Sequence, residues 1–321
     1  MTSSQPDPPP GAGTGTGRKR APILVTGSHR SGTTWVGNML AAAPGTGYVH
    51  EPFNISLRFG AGPALGCWYR YLDPRGDDEF VPAFDRLLAG RYPLRRNLGR
   101  VRSPRDLVQL AKHCARFRKS TRPGTRLLVK DPIAFFSAPW LHARFGFDVV
   151  VMIRHPAAFC SSLKLKAWDF DFTHLARQPA LIDDLLDGYR NEIREYAAEE
   201  HDLIDNAILL WNCIHSVALH FRERHPGWHF VRHEDLSREP AAGFAALFAA
   251  LDLDFTPAAR AAIEAASGAH NPAEQQAGDE FVRDSRRNIG NWKRRLTDAE
   301  IERIRAGTNR VAREFYGPGD W

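Results

Sequence analysis

The chain has 321 residues, 43% hydrophobic and 25% charged, with a formal net charge of +6, the composition of a globular protein of one large or two small domains. The positive excess is local: residues 91–130 carry thirteen Lys and Arg against one carboxylate, Asp106, which speaks against a global nucleic-acid binder and for an anion site on a near-neutral protein. No apolar run reaches the ~18–20 residues of a membrane span, and Cys67, Cys114, Cys160 and Cys213 form no CxxC pair, so neither a zinc site nor a disulfide framework is expected.

Residues 1–20 are rich in Pro, Gly, Ser and Thr and lack an apolar stretch; they read as a disordered tail rather than a secretory signal, leaving residues 21–321 as a single domain. Beyond the tail, short β-branched runs alternate with longer amphipathic ones. The spacing predicts strands at Pro22–Thr26, Gly47–His50, Thr125–Lys130, Asp148–Ile153 and Trp228–Arg232. Helices are expected near Thr33–Ala43, Ser103–Arg118, Pro156–Lys166, Ile182–Ala198, Asn206–Arg224 and Glu239–Leu251. A last helix begins at the N-cap Thr297, with Asp298 and Glu300 in its first turn. Such alternation predicts an α/β fold, a P-loop-type parallel sheet flanked by helices. Ligands of these sheets bind beyond the carboxyl ends of the strands, so the motifs there matter most.

The first predicted strand runs into Gly27-Ser28-His29-Arg30-Ser31-Gly32-Thr33-Thr34-Trp35 and then a helical pattern. A glycine-bearing turn between strand and helix presents backbone N–H groups at a positive dipole end and can cradle phosphate. Gly27, Gly32 and Thr34 have the spacing of GxxxxGK[ST], yet Thr33 stands where the lysine of that motif would be. A second anion-binding pair lies downstream. Arg154 follows the strand ending at Ile153, and Ser162 comes eight residues later on the next helix. A guanidinium and a hydroxyl suit a phosphate monoester.

Three segments together resemble the PAPS-dependent sulfotransferases, which use 3′-phosphoadenosine 5′-phosphosulfate (PAPS) as donor. Arg30-Ser31-Gly32-Thr33-Thr34-Trp35 resembles their 5′-phosphosulfate loop, with Arg at the first position as in carbohydrate-type members. Arg154 and Ser162 resemble the 3′-phosphate motif. Ser285-Arg286-Arg287-Asn288-Ile289-Gly290-Asn291-Trp292-Lys293 resembles the RKGxxGDWK segment; Gly290, Trp292 and Lys293 match directly, whereas Ser285, Arg287 and Asn291 depart from it. The resemblance spans residues 22–293. It implies that Arg30, Ser31, Gly32, Thr33, Thr34, Trp35, Arg154, Ser162 and one or more of Ser285, Arg286 and Arg287 hold the donor. Trp35 corresponds to an aromatic lying against adenine, with core packing as the alternative. Arg232-His233-Glu234-Asp235-Leu236 resembles the family's YEDL segment and is expected to be mainly structural.

The reaction so implied moves a sulfuryl group in line to a hydroxyl and leaves adenosine 3′,5′-bisphosphate. No metal is called for, and catalysis rests on positioning and cations. Arg30 is expected to face the sulfuryl and bridging oxygens, and Lys130 matches a family lysine that touches the leaving phosphate. The histidine base of cytosolic members is replaced by Pro132. Glu51, after the second strand, takes the place of the glutamate base of carbohydrate- and protein-tyrosine-type members, with Asp131 and His50 as fallbacks. The acceptor is less legible. A small molecule, glycan or glycolipid is expected, an anionic one included. Trp68, Tyr69 and Tyr71 read as core, while Trp168-Asp169-Phe170-Asp171-Phe172 divides evenly between core and acceptor contact. Apart from Lys130, the basic window exceeds what the donor needs and reads as an approach surface for an anionic acceptor or the rim of the nucleotide cleft. The amino-terminal anchor of Golgi relatives is not seen, which points to a cytoplasmic, bacterial enzyme. A P-loop kinase-like phosphotransferase and a non-catalytic anion-binding module are the competing classes.

Overall fold

The computed structural model describes residues 20–268 and 284–321, so the expected tail, apart from Arg20, lies outside the described residues. Five strands, β1 (Ile23–Gly27), β2 (Thr46–His50), β3 (Arg126–Lys130), β4 (Asp148–Ile153) and β5 (His229–Arg232), form one sheet in the order β2-β3-β1-β4-β5. Every pairing is parallel, and each strand lies within one residue of its predicted bounds. The agreement has a simple origin. A parallel sheet covered on both faces must be apolar throughout, and β1, β3 and nearly all of β4 are fully buried.

Alternate side chains feed two cores on opposite faces. Leu24, Val49, Val129, Val149 and Val151 join Phe135, Trp140 and Trp211 on one side. Ile23, Val25, Leu128, Val150 and Met152 meet Val36, Leu40, Phe244 and Phe248 on the other.

The first helices, in chain order, are α1 (Thr33–Leu40), α2 (Val81–Leu88), α3 (Leu94–Leu98), α4 (Pro104–Ser120), α5 (Ala138–Phe145) and α6 (Pro156–Lys166). α1 stops three residues before its predicted end. There the N–H groups of Ala42 and Ala43 bond three residues back, to Met39 and Leu40, as the chain tightens ahead of Pro44. α4 starts at Ser103, whose Oγ accepts from the Asp106 N–H at 3.3 Å. The predicted Ile182–Ala198 helix is broken instead: a π turn (Ile182–Leu186) and a 3₁₀ turn (Asp187–Tyr189) precede an α-helix over Arg190–Ala198. Gly188 lies in the break, where its backbone freedom disfavours a regular helix. The long helix Leu203–Arg224 is capped by Asp202, and the last helix, Asp298–Ala312, by a Thr297–Glu300 capping box. Among the described residues no helix is long and apolar enough to cross a membrane.

Candidate active site

β1 sits in the middle of the sheet, so the loop that leaves it lies between the carboxyl ends of β3 and β4. Gly27 (φ 138°) must be glycine, because a Cβ there would overlap the Met152 carbonyl of β4. Gly32 (φ 91°) is the N-cap of α1, and its Cβ would strike the His233 ring. Between them the Ser31 N–H and Oγ both donate to the Ser28 carbonyl, at 3.2 and 2.5 Å. The result is a tight loop ending at a helix N-terminus that no side chain caps. The first N–H groups of such a helix have no acceptor within it and sit at its positive end. The buried Ser28 Oγ and, on α6, the buried Ser161 Oγ have no hydrogen-bond partner among the described residues. A glycine-bounded loop at an uncapped helix N-terminus, with the orphaned Ser28 hydroxyl inside it, fits a phosphosulfate group.

Arg30, a non-glycine residue held at φ 65°, stands at the crest of the loop. Its Nε donates to Ser162 Oγ at 3.0 Å, and its guanidinium lies 5.9 Å from the Trp168 ring centroid. Arg154, just past β4, is 8% exposed and donates from Nη1 to the Arg30 carbonyl. The indole of Trp211 in turn holds the Arg154 carbonyl at 2.9 Å. Arg30, Arg154 and Ser162, from three elements, thus form one cluster at the amino end of α1.

On the other flank, β2 and β3 pair His50 with Lys130, and the Glu51 N–H donates to the Lys130 carbonyl at 2.9 Å. Glu51 also occupies the left-handed region, at φ 42°. Its carboxylate receives the Lys130 ammonium, which is 1% exposed, and the Asn54 amide at 2.6 Å; His50 Nε2 is 3.8 Å away. Burial alone would raise the Glu51 pKa. The Lys130 and His50 charges and the bonds from Lys130 and Asn54 outweigh it and hold the group below its ordinary value. His50 itself is lowered to about 4 by burial and then by the Lys130 charge. Asp131 is fully buried and accepts the Phe53 and Ile133 N–H groups at 2.6 and 3.0 Å. Burial and the Glu51 charge push it up to about 8. It serves as a cap for the turn Pro132–Ser137 and is not open to an acceptor.

The carboxyl-terminal segment reaches the site through its tryptophan. Trp292 stacks on His155, the neighbour of Arg154, with centroids 5.2 Å apart and planes at 11°. Ser285 Oγ donates to the Ser237 and Ser267 carbonyls. Arg286 pairs with Glu239 at 2.9 Å and Arg287 with Asp284 at 3.4 Å, both exposed. Trp35 is partly buried between His233 and Phe244, at centroid distances of 5.7 and 5.1 Å. Glu234 accepts the His155 N–H and the Tyr316 hydroxyl, a bracing role for that segment.

Two features are absent from the sequence reading. His29, inside the loop, directs both its N–H and its Nδ1 at the hydroxyl of buried Tyr69, at 3.0 and 2.7 Å. Burial, then the Arg30 charge, lowers its pKa to about 3, so the ring is neutral. Trp68 and Trp168 flank it at 6.3 and 5.7 Å. Tyr69 lies in an aromatic run and bonds across forty residues, which spacing does not reveal. The second is a cavity of about 360 Å³ beside Thr34, Tyr48 and His50, walled by the loop after β2 and by α4. The alternation that puts Tyr48 and His50 on one face of β2 is its only sequence signal.

Residues 22–257 match the model of the Sulfotransferase family. Curated proteins give no match. Among solved structures, sulfotransferase STF9 from Mycobacterium avium aligns at 16% identity over 93% of this chain and 78% of its own, with a TM-score of 0.45. The sulfotransferase domain of the Synechococcus PCC 7002 olefin synthase aligns at 15% identity over 94% and 98%, with a TM-score of 0.45. Mouse sulfotransferase SULT7A1, complexed with PAP, aligns at 11% identity over 93% and 86%, with a TM-score of 0.43.

Proposed function

The chain belongs to the sulfotransferase family, and from that premise we propose that it transfers a sulfuryl group from PAPS to an acceptor hydroxyl, with Glu51 as general base. The observation that carries this reading is the cluster of Arg30, Arg154 and Ser162 at the glycine-bounded amino end of α1. Bound there, the donor supplies an activated sulfuryl group on a phosphosulfate anhydride. The loop N–H groups and Arg30 hold its 5′ end, while Arg154 and Ser162, with Ser285, Arg286 or Arg287, hold its 3′-phosphate. Trp35 offers an aromatic edge for the base.

In the transfer, the acceptor oxygen bonds to sulfur, the bond from sulfur to the bridging phosphate oxygen breaks, and the hydroxyl proton passes to Glu51. Arg30 and Lys130 hold the charge left on the phosphate. Glu51 is ionised at neutral pH and able to take the proton. Because Lys130 is also what keeps its pKa low, turning the lysine toward the leaving phosphate makes the carboxylate more basic when a base is needed. A kinase-like reading fares worse, since the loop lacks the lysine that contacts nucleotide triphosphates.

Labelled PAPS incubated with extracted glycans, lipids and small metabolites tests the proposal. The wild type is expected to label a product. Glu51→Gln is expected to bind adenosine 3′,5′-bisphosphate normally but to lose ~10²–10⁴-fold in rate, the scale of a general base. Near-normal turnover by Glu51→Gln would overturn the base assignment.

A further inference from the structure

The cavity beside Thr34 points to the kind of acceptor this enzyme takes. Its volume, about 360 Å³, lies at the low end of the roughly 300–1,000 Å³ range of small-ligand pockets and leaves little room for a glycan chain. Thr34, on the first turn of α1, and His50, the neighbour of Glu51, both line it. Phe59, Tyr92 and Phe117 supply aromatic walls.

The lining is mixed, with polar groups from Thr34, Asn38, His50, His113 and Arg116 as well. Arg116, on α4, is exposed and makes no hydrogen bond or ion pair among the described residues, yet its charge helps to lower the His50 pKa, so it acts within the same space. A guanidinium that lines the cavity and is held by no carboxylate can pair with an anion on a ligand.

Resting on the sulfuryl-transfer reading above, we propose that this cavity is the acceptor subsite and that it selects a small aromatic or alicyclic alcohol or phenol bearing a carboxylate or similar anion. The apolar body lies among Phe59, Tyr92 and Phe117, the hydroxyl points to Glu51, and the anion meets Arg116. Only this one cation of the basic window is assigned to the acceptor.

The test uses the full chain saturated with adenosine 3′,5′-bisphosphate and a matched pair of probes, 3-(4-hydroxyphenyl)propanoate and its methyl ester, with glucose as the sugar probe. Binding is read by saturation-transfer NMR at millimolar concentrations, and label transfer from PAPS is followed in parallel. The acid is expected to bind about three- to fivefold more tightly than the ester, the scale of one exposed ion pair, and glucose not to compete. Arg116→Ala should erase the preference for the acid without changing affinity for the bisphosphate, and Phe59→Trp should weaken both probes. Equal binding of acid and ester, a preference that survives Arg116→Ala, or no binding of either probe to protein that holds the bisphosphate would each overturn the acceptor assignment. Failure of the wild type to bind the bisphosphate at all would instead remove the donor reading beneath it.

Discussion

Arg30 and Glu51, the two residues assigned to the leaving group and the base, are both non-glycine residues in the left-handed region. Such backbone conformations cost of order 1–3 kcal/mol each and persist only where the surroundings impose them. Here Ser162 and Arg154 bind Arg30, and Lys130 and Asn54 bind Glu51. Arg154→Ala removes a buried guanidinium that also fixes the Arg30 carbonyl. Titration calorimetry with adenosine 3′,5′-bisphosphate is expected to show ~10–100-fold weaker binding, matching the ~1.5–3 kcal/mol of a charged hydrogen bond; unchanged affinity would reject the 3′-phosphate role.

Asp131 gives a pH test of the same region. Its pKa in the fold is about 8, against 3.8 ordinarily, so between those values the folded chain keeps a proton that the unfolded chain gives up. This contribution favours folding at low pH and is lost as pH rises toward 8. Glu51, lowered instead of raised, acts in the opposite sense and only below its ordinary range. The melting temperature of Asp131→Asn should therefore fall less than that of the wild type between about pH 5 and pH 8. Parallel curves for the two proteins would contradict the assignment.

At the scale of elements, the strands and the glycine-bounded turn after β1 were legible because each obeys a local rule. Buried parallel strands are β-branched and apolar throughout, and Gly27 and Gly32 answer to backbone angles that other residues resist. Contacts between distant segments were not legible. Nothing near Arg96 or Arg100 indicates that the first donates to the Gly60 carbonyl at 2.9 Å and the second to the Arg58 carbonyl at 3.1 Å. Asn97 holds the Gly60 carbonyl as well, and Arg58 pairs with Asp106 at 2.7 Å. Part of the basic window therefore holds the loop after β2, which forms a wall of the cavity. Replacing Arg96 and Arg100 with Ala is expected to raise acceptor KM several-fold through this loop, leaving affinity for the bisphosphate unchanged. A double variant with wild-type acceptor KM would show that these bonds do not shape the pocket.

At the scale of the whole molecule, the sheet order brings cations far apart in sequence to one place, as the proposed donor site requires. β3 and β4 flank β1, so Lys130 and Arg154, each at a strand end, stand on either side of the loop that carries Arg30. The charge excess between residues 91 and 130 then divides by position: Lys130 belongs to this centre, Arg126 is tied to Asp148 and the Ala21 carbonyl near the amino edge of the sheet, and Arg96 and Arg100 brace the loop. The resemblance in the sequence named the donor motifs in their chain order, but the division of labour among the arginines needed the topology. Thermal unfolding of the full chain with adenosine 3′,5′-bisphosphate and, separately, with Mg·ATP tests the central claim most directly. A large upward shift with the bisphosphate, requiring no metal, and none with Mg·ATP is the predicted result; a shift with Mg·ATP and none with the bisphosphate would contradict it.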